Sequence, residues 1–363
     1  MMDRRDFLRT AGLSLASAQL GLARPPAEVT GRGWQQFEIT TRIEVLQPSG
    51  ITHIWIPLPS PVATEYQRPL GNQIDGLTGV ARTVIDQTHA LAFVSCEVAV
   101  GRTPEVTVVS RAATRDRSVD VARPDRLHRA SSESLKPWLP ASSVDLRDDI
   151  VRRKALEITR GATTDLDKAR AIYEWIVVNT YRNAKTRGCG RGDIRFMLES
   201  GDLGGKCADL NALFVGLARA AGMPARDAYG IRVAPSDLAY QSLGTSSPAI
   251  TKSQHCRAEV YVREYGWIPV DPADVRKVIL EEPPGNLPLT DEKVAAARTR
   301  LFGSWEMNWI AYNFATDVNL PGARFGRLPY FMYPQAETAE GRLDCLDPDA
   351  FRYSITAQRL ALS

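Results

Sequence analysis

The chain has 363 residues, 44% apolar and 24% charged, a balance that excludes intrinsic disorder and collagen-like repeats and obliges the protein to bury a core. Its 45 basic and 42 acidic residues leave a formal charge of +3, and no run of five like charges occurs, so nucleic acid is excluded as a default partner. At 363 residues the chain exceeds the length at which a single core stops growing, about 250–300 residues, which predicts two or three domains.

Residues 1–23 read as an export signal. Arg4 and Arg5, followed by Phe7 and Leu8 and an uncharged, mildly apolar run from Thr10 to Leu22, resemble a twin-arginine signal, an address read by a receptor. That run is too short to cross a bilayer as a helix, and no other stretch approaches spanning length. The expected location is therefore periplasmic or extracellular, with no transmembrane helix after signal removal. Five cysteines are an odd number for an oxidising compartment. Cys207 is expected to stay free; Cys96, Cys189, Cys256 and Cys345 allow three pairings, and the sequence does not choose among them.

Residues 24–125 are expected to form a β-rich domain. Phe37, Ile39, Thr41, Ile43 and Val45 alternate with polar residues, the period-two pattern of a half-buried strand. Short runs at Ile51–Ile56, Arg82–Ile85, Leu91–Val100 and Val106–Ala112, punctuated by turn residues, suggest a β-sandwich. A polar stretch without periodicity, 126–145, reads as a linker. Residues 146–280 then change period. Thr164 is a candidate N-cap before the apolar face Ala169, Ile172, Tyr173 and Ile176. Cys207 to Ala221 is a second helix, stopped by Gly222 and Pro224. Strands at Asp227–Val233, Gln254–Val262 and Trp267–Val270 follow, and helix followed by sheet reads as α+β. The remaining 281–363 form an extension with nine aromatic residues between Phe302 and Tyr333, either walls of a groove or rings packed on the earlier parts.

One combination stands out chemically: Gly204-Gly205-Lys206-Cys207 opening a helix, His255 on a strand and Asp271 at the end of the next. A thiol attacks as thiolate, and a helix N-terminus with a neighbouring lysine favours that charge. A three-residue loop pairing Val262 with Gly266 would place Asp271 opposite Arg257 and diagonal to His255, within side-chain reach. His255 would then serve as base and acid, Asp271 would hold its tautomer, and the backbone N–H of Cys207 would give one oxyanion donor. Asp209 reads as a first-turn partner of the helix dipole. The four histidines show no zinc spacing, so no metal and no cofactor is expected.

These residues carry a resemblance. Ala171 to Tyr181, Gly205 to Phe214, Leu217 to Arg226, His255 to Val262 and Gly266 to Pro272 resemble the blocks of the transglutaminase-like superfamily, in the family's order, over about residues 146–275. The resemblance implies a papain-like core preceded by a β-sandwich-like domain, with Cys207, His255 and Asp271 as triad and Tyr181 as a candidate oxyanion donor. It also implies acyl transfer through a cysteine thioester on a peptide or glutamine carboxamide in the cell envelope, with water or an amine as acceptor; with no metal-ligand set in the sequence, the enzyme is expected to be calcium-independent. The usual His-Ala-Trp run is here His255-Cys256-Arg257. Two alternatives stand beside this: a non-catalytic envelope module binding peptide or glycan on the same fold, and acyl transfer to a small amine, as in arylamine acetyltransferases.

Overall fold

The computed structural model describes residues 33–124, 130–139 and 149–361; the expected signal 1–23 and parts of the expected linker 126–145 lie outside the described residues. Strand β1 (Gln35–Glu44) turns Phe37, Ile39, Thr41 and Ile43 inward and leaves the residues between them partly exposed, as period two requires. It is followed by β2 (Thr52–Pro57), β3 (Gln67–Asp75), β4 (Val80–Asp86), β5 (Leu91–Val98) and β6 (Glu105–Thr114). The hydrophobic pattern hides β3. This strand carries Pro69 and Gly71, its register shifts between them, and it lies at a sheet edge, where a missing N–H is tolerated.

These strands form two antiparallel four-stranded sheets, each completed by a strand from the far end of the chain. Tyr353–Leu360 pairs with β1 and Gln335–Glu337 with β2. Phe37 and Ile43 from one sheet and Ile54, Val94 and Cys96 from the other lie in one buried cluster, which continues to Leu210, Phe214 and Val260 in the second half. Part of the expected linker is ordered: Trp138 is buried, edge-on to Trp267 and Phe314.

The second half packs helices α1 (Ile150–Ile158), α2 (Asp165–Asn179) and α3 (Cys207–Ala220) with an antiparallel sheet. Helix α2 opens on a reciprocal capping box: Thr164 Oγ1 accepts from Asp167 N at 3.1 Å, and Asp167 Oδ2 accepts from Thr164 N at 3.1 Å. In the sheet, β7 (Ala225–Arg232) and β8 (Gln254–Val262) are central, β9 (Gly266–Val270) flanks β8, and helix α4 (Pro272–Glu281) precedes β10 (Trp309–Asn313), which flanks β7. Helix α3 lies across β8 and β7 with Leu210, Leu213, Phe214 and Leu217 buried.

The β8–β9 hairpin has the expected register, Val262 opposite Gly266 and Ala258 opposite Val270. Gly266 turns the corner at φ +72°, where a side chain would be strained. Asp271 therefore leaves the sheet level with Arg257. A buried ion cluster ties the N-terminal half to this sheet. Arg117, which follows β6, pairs with Glu259 of β8, whose second oxygen accepts from Arg226 Nε at 2.5 Å.

All five cysteines are free, so none of the three pairings forms. Cys96 is enclosed in β5 within the sandwich core, whereas Cys189 and Cys256 gather around Cys207. Among the described residues no helix is long and apolar enough to cross a membrane.

Candidate active site

Cys207 is the first residue of α3 and is 3% exposed. Its N-cap, Lys206, is extended, and Asp209 folds back to accept Lys206 N at 3.0 Å. The same carboxylate accepts Arg191 N at 2.8 Å and Gly192 N at 2.9 Å. Asp209 thus fixes the loop 188–192 against the helix entrance, which goes further than a dipole partner. As the first helical residue, Cys207 carries an N–H without an intrahelical acceptor, on the positive end of the helix.

His255 lies near the start of β8 and is 4% exposed; its Nε2 is 2.7 Å from Asp271 Oδ2 and 3.4 Å from Asp274 Oδ1. With Nε2 so engaged, Nδ1 is the ring nitrogen left for the thiol. Asp271 combines two contacts. Its Oδ1 caps α4 by accepting Asp274 N at 3.1 Å, while Oδ2 holds the imidazole. Asn211, one turn after Cys207, donates to Asp271 Oδ1 at 3.2 Å and to the Cys256 carbonyl at 2.8 Å, joining α3 to β8 and to the start of α4. Trp309 Nε1 fixes the same strand by donating to the His255 carbonyl at 3.0 Å.

Charges around the imidazole decide its protonation. Burial and the Arg232 guanidinium depress the His255 pKa, but the carboxylates Asp274 and Asp271 outweigh them and raise it from 6.5 to about 9. Arg232 in turn grips Asp274 with one nitrogen, at 2.6 and 2.7 Å, and holds that carboxyl well below the ordinary range against the effect of burial. Hydrogen bonds from Cys189 and then Cys256 pull the Cys207 thiol well below its ordinary value; burial opposes this, and His255 adds to it. Cys189 is correspondingly raised, chiefly by its approach to Cys207, and its Sγ donates to the Gln254 carbonyl at 3.3 Å. The shifts of Cys207 and His255 both act in the direction of thiolate beside imidazolium.

The thiols of Cys189, Cys207 and Cys256 lie within 4.8 Å of one another, as do the ligand atoms of His255, Asp271 and Asp274. The three sulfurs form a donor set of the kind a soft, thiophilic ion takes. In the second group the oxygens are already engaged by Arg232, Asn211 and the Asp274 N–H. Neither cluster has a sequence spacing that would announce it.

Cys207 and His255 face a cavity of about 350 Å³, together with Cys189, Gln254 and Tyr333. Tyr181 is placed elsewhere. It is 45% exposed, its hydroxyl donates to Asp202 at 2.8 Å, and it does not line the cavity. The short parallel bridge of Tyr181–Arg182 to Gly204–Gly205 makes this ring a prop for the glycine loop before Cys207. Gln254 is the polar group that sequence reading missed. It is 7% exposed, it lines the cavity, and neither its Nε2 nor its Oε1 has a hydrogen-bond partner.

A thiol at a helix start, backed by an imidazole and a carboxylate from an antiparallel sheet, defines the papain-like class of site. A sequence description of the transglutaminase-like superfamily core matches residues 152–272. An uncharacterized protein of Haemophilus influenzae is 32% identical over 342 residues, covering 89% of this chain and 91% of its own. The chain belongs to the transglutaminase-like superfamily. Among solved structures, a candidate cysteine protease from Cytophaga hutchinsonii is 17% identical with a TM-score of 0.49, covering 90% of this chain and 98% of its own. The periplasmic domain of TgpA from Pseudomonas aeruginosa is 14% identical with a TM-score of 0.36, covering 73% and 92%.

Proposed function

We propose that this protein catalyses acyl transfer from a peptide or glutamine carboxamide through a thioester on Cys207. The observation that carries the reading is one cavity holding Cys207 at a helix N-terminus and His255, with the His255 Nε2 at 2.7 Å from Asp271. The Cys207 thiolate attacks the carbonyl carbon, and the negative charge that develops on oxygen is met by the free N–H of Cys207. Protonated His255 gives its proton to the departing amine, leaving acyl thioester and neutral imidazole. Water or an incoming amine then loses a proton to His255 as it attacks the thioester, and Cys207 leaves as thiolate. Asp271 keeps the ring oriented and favours its cationic form throughout.

Export is part of the same proposal, on the Arg4-Arg5 pattern and the run that follows it. Cell fractionation tests it: the mature protein retained in the cytoplasm would refute it.

Incubating the mature enzyme with peptides and a labelled primary amine, with Cys207→Ala as control, tests the chemistry. Cleaved or deamidated products without label establish a hydrolase, and label on glutamine side chains establishes a transglutaminase. Identical spectra for enzyme and control would remove the catalytic reading and favour the binding module.

A further inference from the structure

The charge of the cavity wall is one-sided. Arg182, Lys206, Arg232, Lys252, Lys277 and His255 line it, and no aspartate or glutamate among the described residues does. This is not a property of the chain as a whole, whose basic and acidic residues nearly balance. Some of the positive charge is internally matched. Arg232 is held by Asp274, and Arg182 and Lys277 share Glu281, with Lys277 Nζ at 3.7 Å from it. Lys206, beside the nucleophile, and the exposed Lys252, three residues before His255, have no ion-pair partner among the described residues. Gln254 lines the same cavity, and neither the donor nor the acceptor of its buried carboxamide is satisfied by the protein. A buried amide left so costs free energy unless a ligand supplies its partners.

We infer that the cleft selects acidic peptides: a substrate main-chain amide pairs with Gln254, and a carboxylate next to the reacting acyl group is taken by Lys206 and Lys252. This rests on the acyl-transfer reading for its location, and it adds what the site selects. Charged hydrogen bonds to a carboxylate in a partly enclosed cleft are stronger than neutral ones, so the gain is expected in affinity and in its sensitivity to salt. A peptide is favoured over other polyanions because the orphan group is an amide-pairing one and the chain has no basic run to track a phosphate backbone.

Binding to a Cys207→Ser protein separates this inference from catalysis. The probes are three fluorescent hexapeptides: one with two glutamates flanking a central glutamine, amidated at its end; its all-glutamine isostere; and that isostere with a free C-terminal carboxylate. The acidic peptide is expected to bind about tenfold more tightly than the amidated isostere, and the difference should shrink in high salt and on Lys252→Ala. Gln254→Leu should weaken all three peptides alike. Tight binding of the free-acid isostere alone would support the inference and assign the carboxylate to the peptide terminus. Equal or undetectable affinities for all three, or an acidic preference untouched by Lys252→Ala and by a Lys206→Ala variant of unchanged melting temperature, would overturn it. Turnover of the same peptides by the wild-type chain is read separately. Selective binding without turnover leaves the inference standing and removes the acyl-transfer reading.

Discussion

The two ends of strand β8 bury charge in opposite ways. Glu259 and His255 lie on the same face of this strand with Arg257 between them, and all three are less than 5% exposed. At the Glu259 end the charges are closed off. Two guanidiniums bracket the carboxylate, and Arg226 is roofed by rings, 3.7 Å from the centre of Phe314 and 4.1 Å from that of Trp267. At the His255 end an equally buried network opens onto a cavity, with three thiols in mutual reach and Gln254 unpartnered. One strand thus carries a sealed ion cluster and an open one, and the difference lies in which network leaves donors and protons for a ligand.

That contrast can be broken at either end. Cys207→Ala should reduce turnover by at least about 10³-fold with little change in melting temperature, measured on the same preparation. Asp271→Asn keeps a group able to cap α4 but no longer favours the imidazolium, so kcat should fall by about 10²–10⁴-fold while the circular dichroism spectrum is unchanged. An equal loss of helix signal would mean that capping dominates. At the other end, Glu259→Gln strands the buried Arg117 and the half-buried Arg226 and should cost about 3–5 kcal/mol in denaturant unfolding, yet leave turnover per folded molecule near wild type. A large loss of kcat there would show that the two networks are coupled.

A smaller effect lies in the pH profile. In the proposed acyl transfer the imidazolium donates the proton to the leaving amine, so its pKa, raised to about 9, is expected to set the alkaline limb of the rate. Asp274→Asn removes a carboxylate that raises it and frees Arg232 to depress it, so the limb should move to lower pH; an unmoved limb would detach that titration from His255. The smallest effect concerns Asp227 of β7. Burial raises its pKa from 3.8 to about 7, and its Oδ1 has no partner. The folded state therefore prefers the protonated form, and Asp227 destabilises increasingly as pH rises from about 4 until the cost levels off above 7. Asp227→Asn should gain about 1–3 kcal/mol at pH 8 and almost nothing at pH 4, measured by urea unfolding at the two values.

Much of this was legible in the sequence because it is local. Strand β1 and helix α3 follow their periodicities, and Val262 facing Gly266 follows from a short loop. What was hidden is carried by tertiary approach. Cys189 comes from a loop, Arg232 from the end of β7 and Asp274 from the first turn of α4, and their meeting at His255 depends on how sheet and helices stack. Some signals were present and overlooked. Asn211 is a polar residue on an otherwise apolar helical stripe, four residues after Cys207, where a helix brings side chains together. Pro272 after Asp271 is the start of a helix at its first position. Tyr353 to Leu360 alternates buried and exposed residues for most of its length, and the aromatic richness of the preceding segment masks it as a strand.

That last strand has a bearing on how the protein is made. β1 emerges from the ribosome long before its partner Tyr353–Leu360. At about 5–20 residues per second, translation leaves β1 without this neighbour for on the order of tens of seconds. During that interval the growing chain presents an unpaired edge, the feature that recruits strands from other chains. This sheet gains its edge strand only after Tyr353–Leu360 has been made, so a product terminated anywhere before Tyr353 keeps the open edge and is exposed to aggregation or proteolysis.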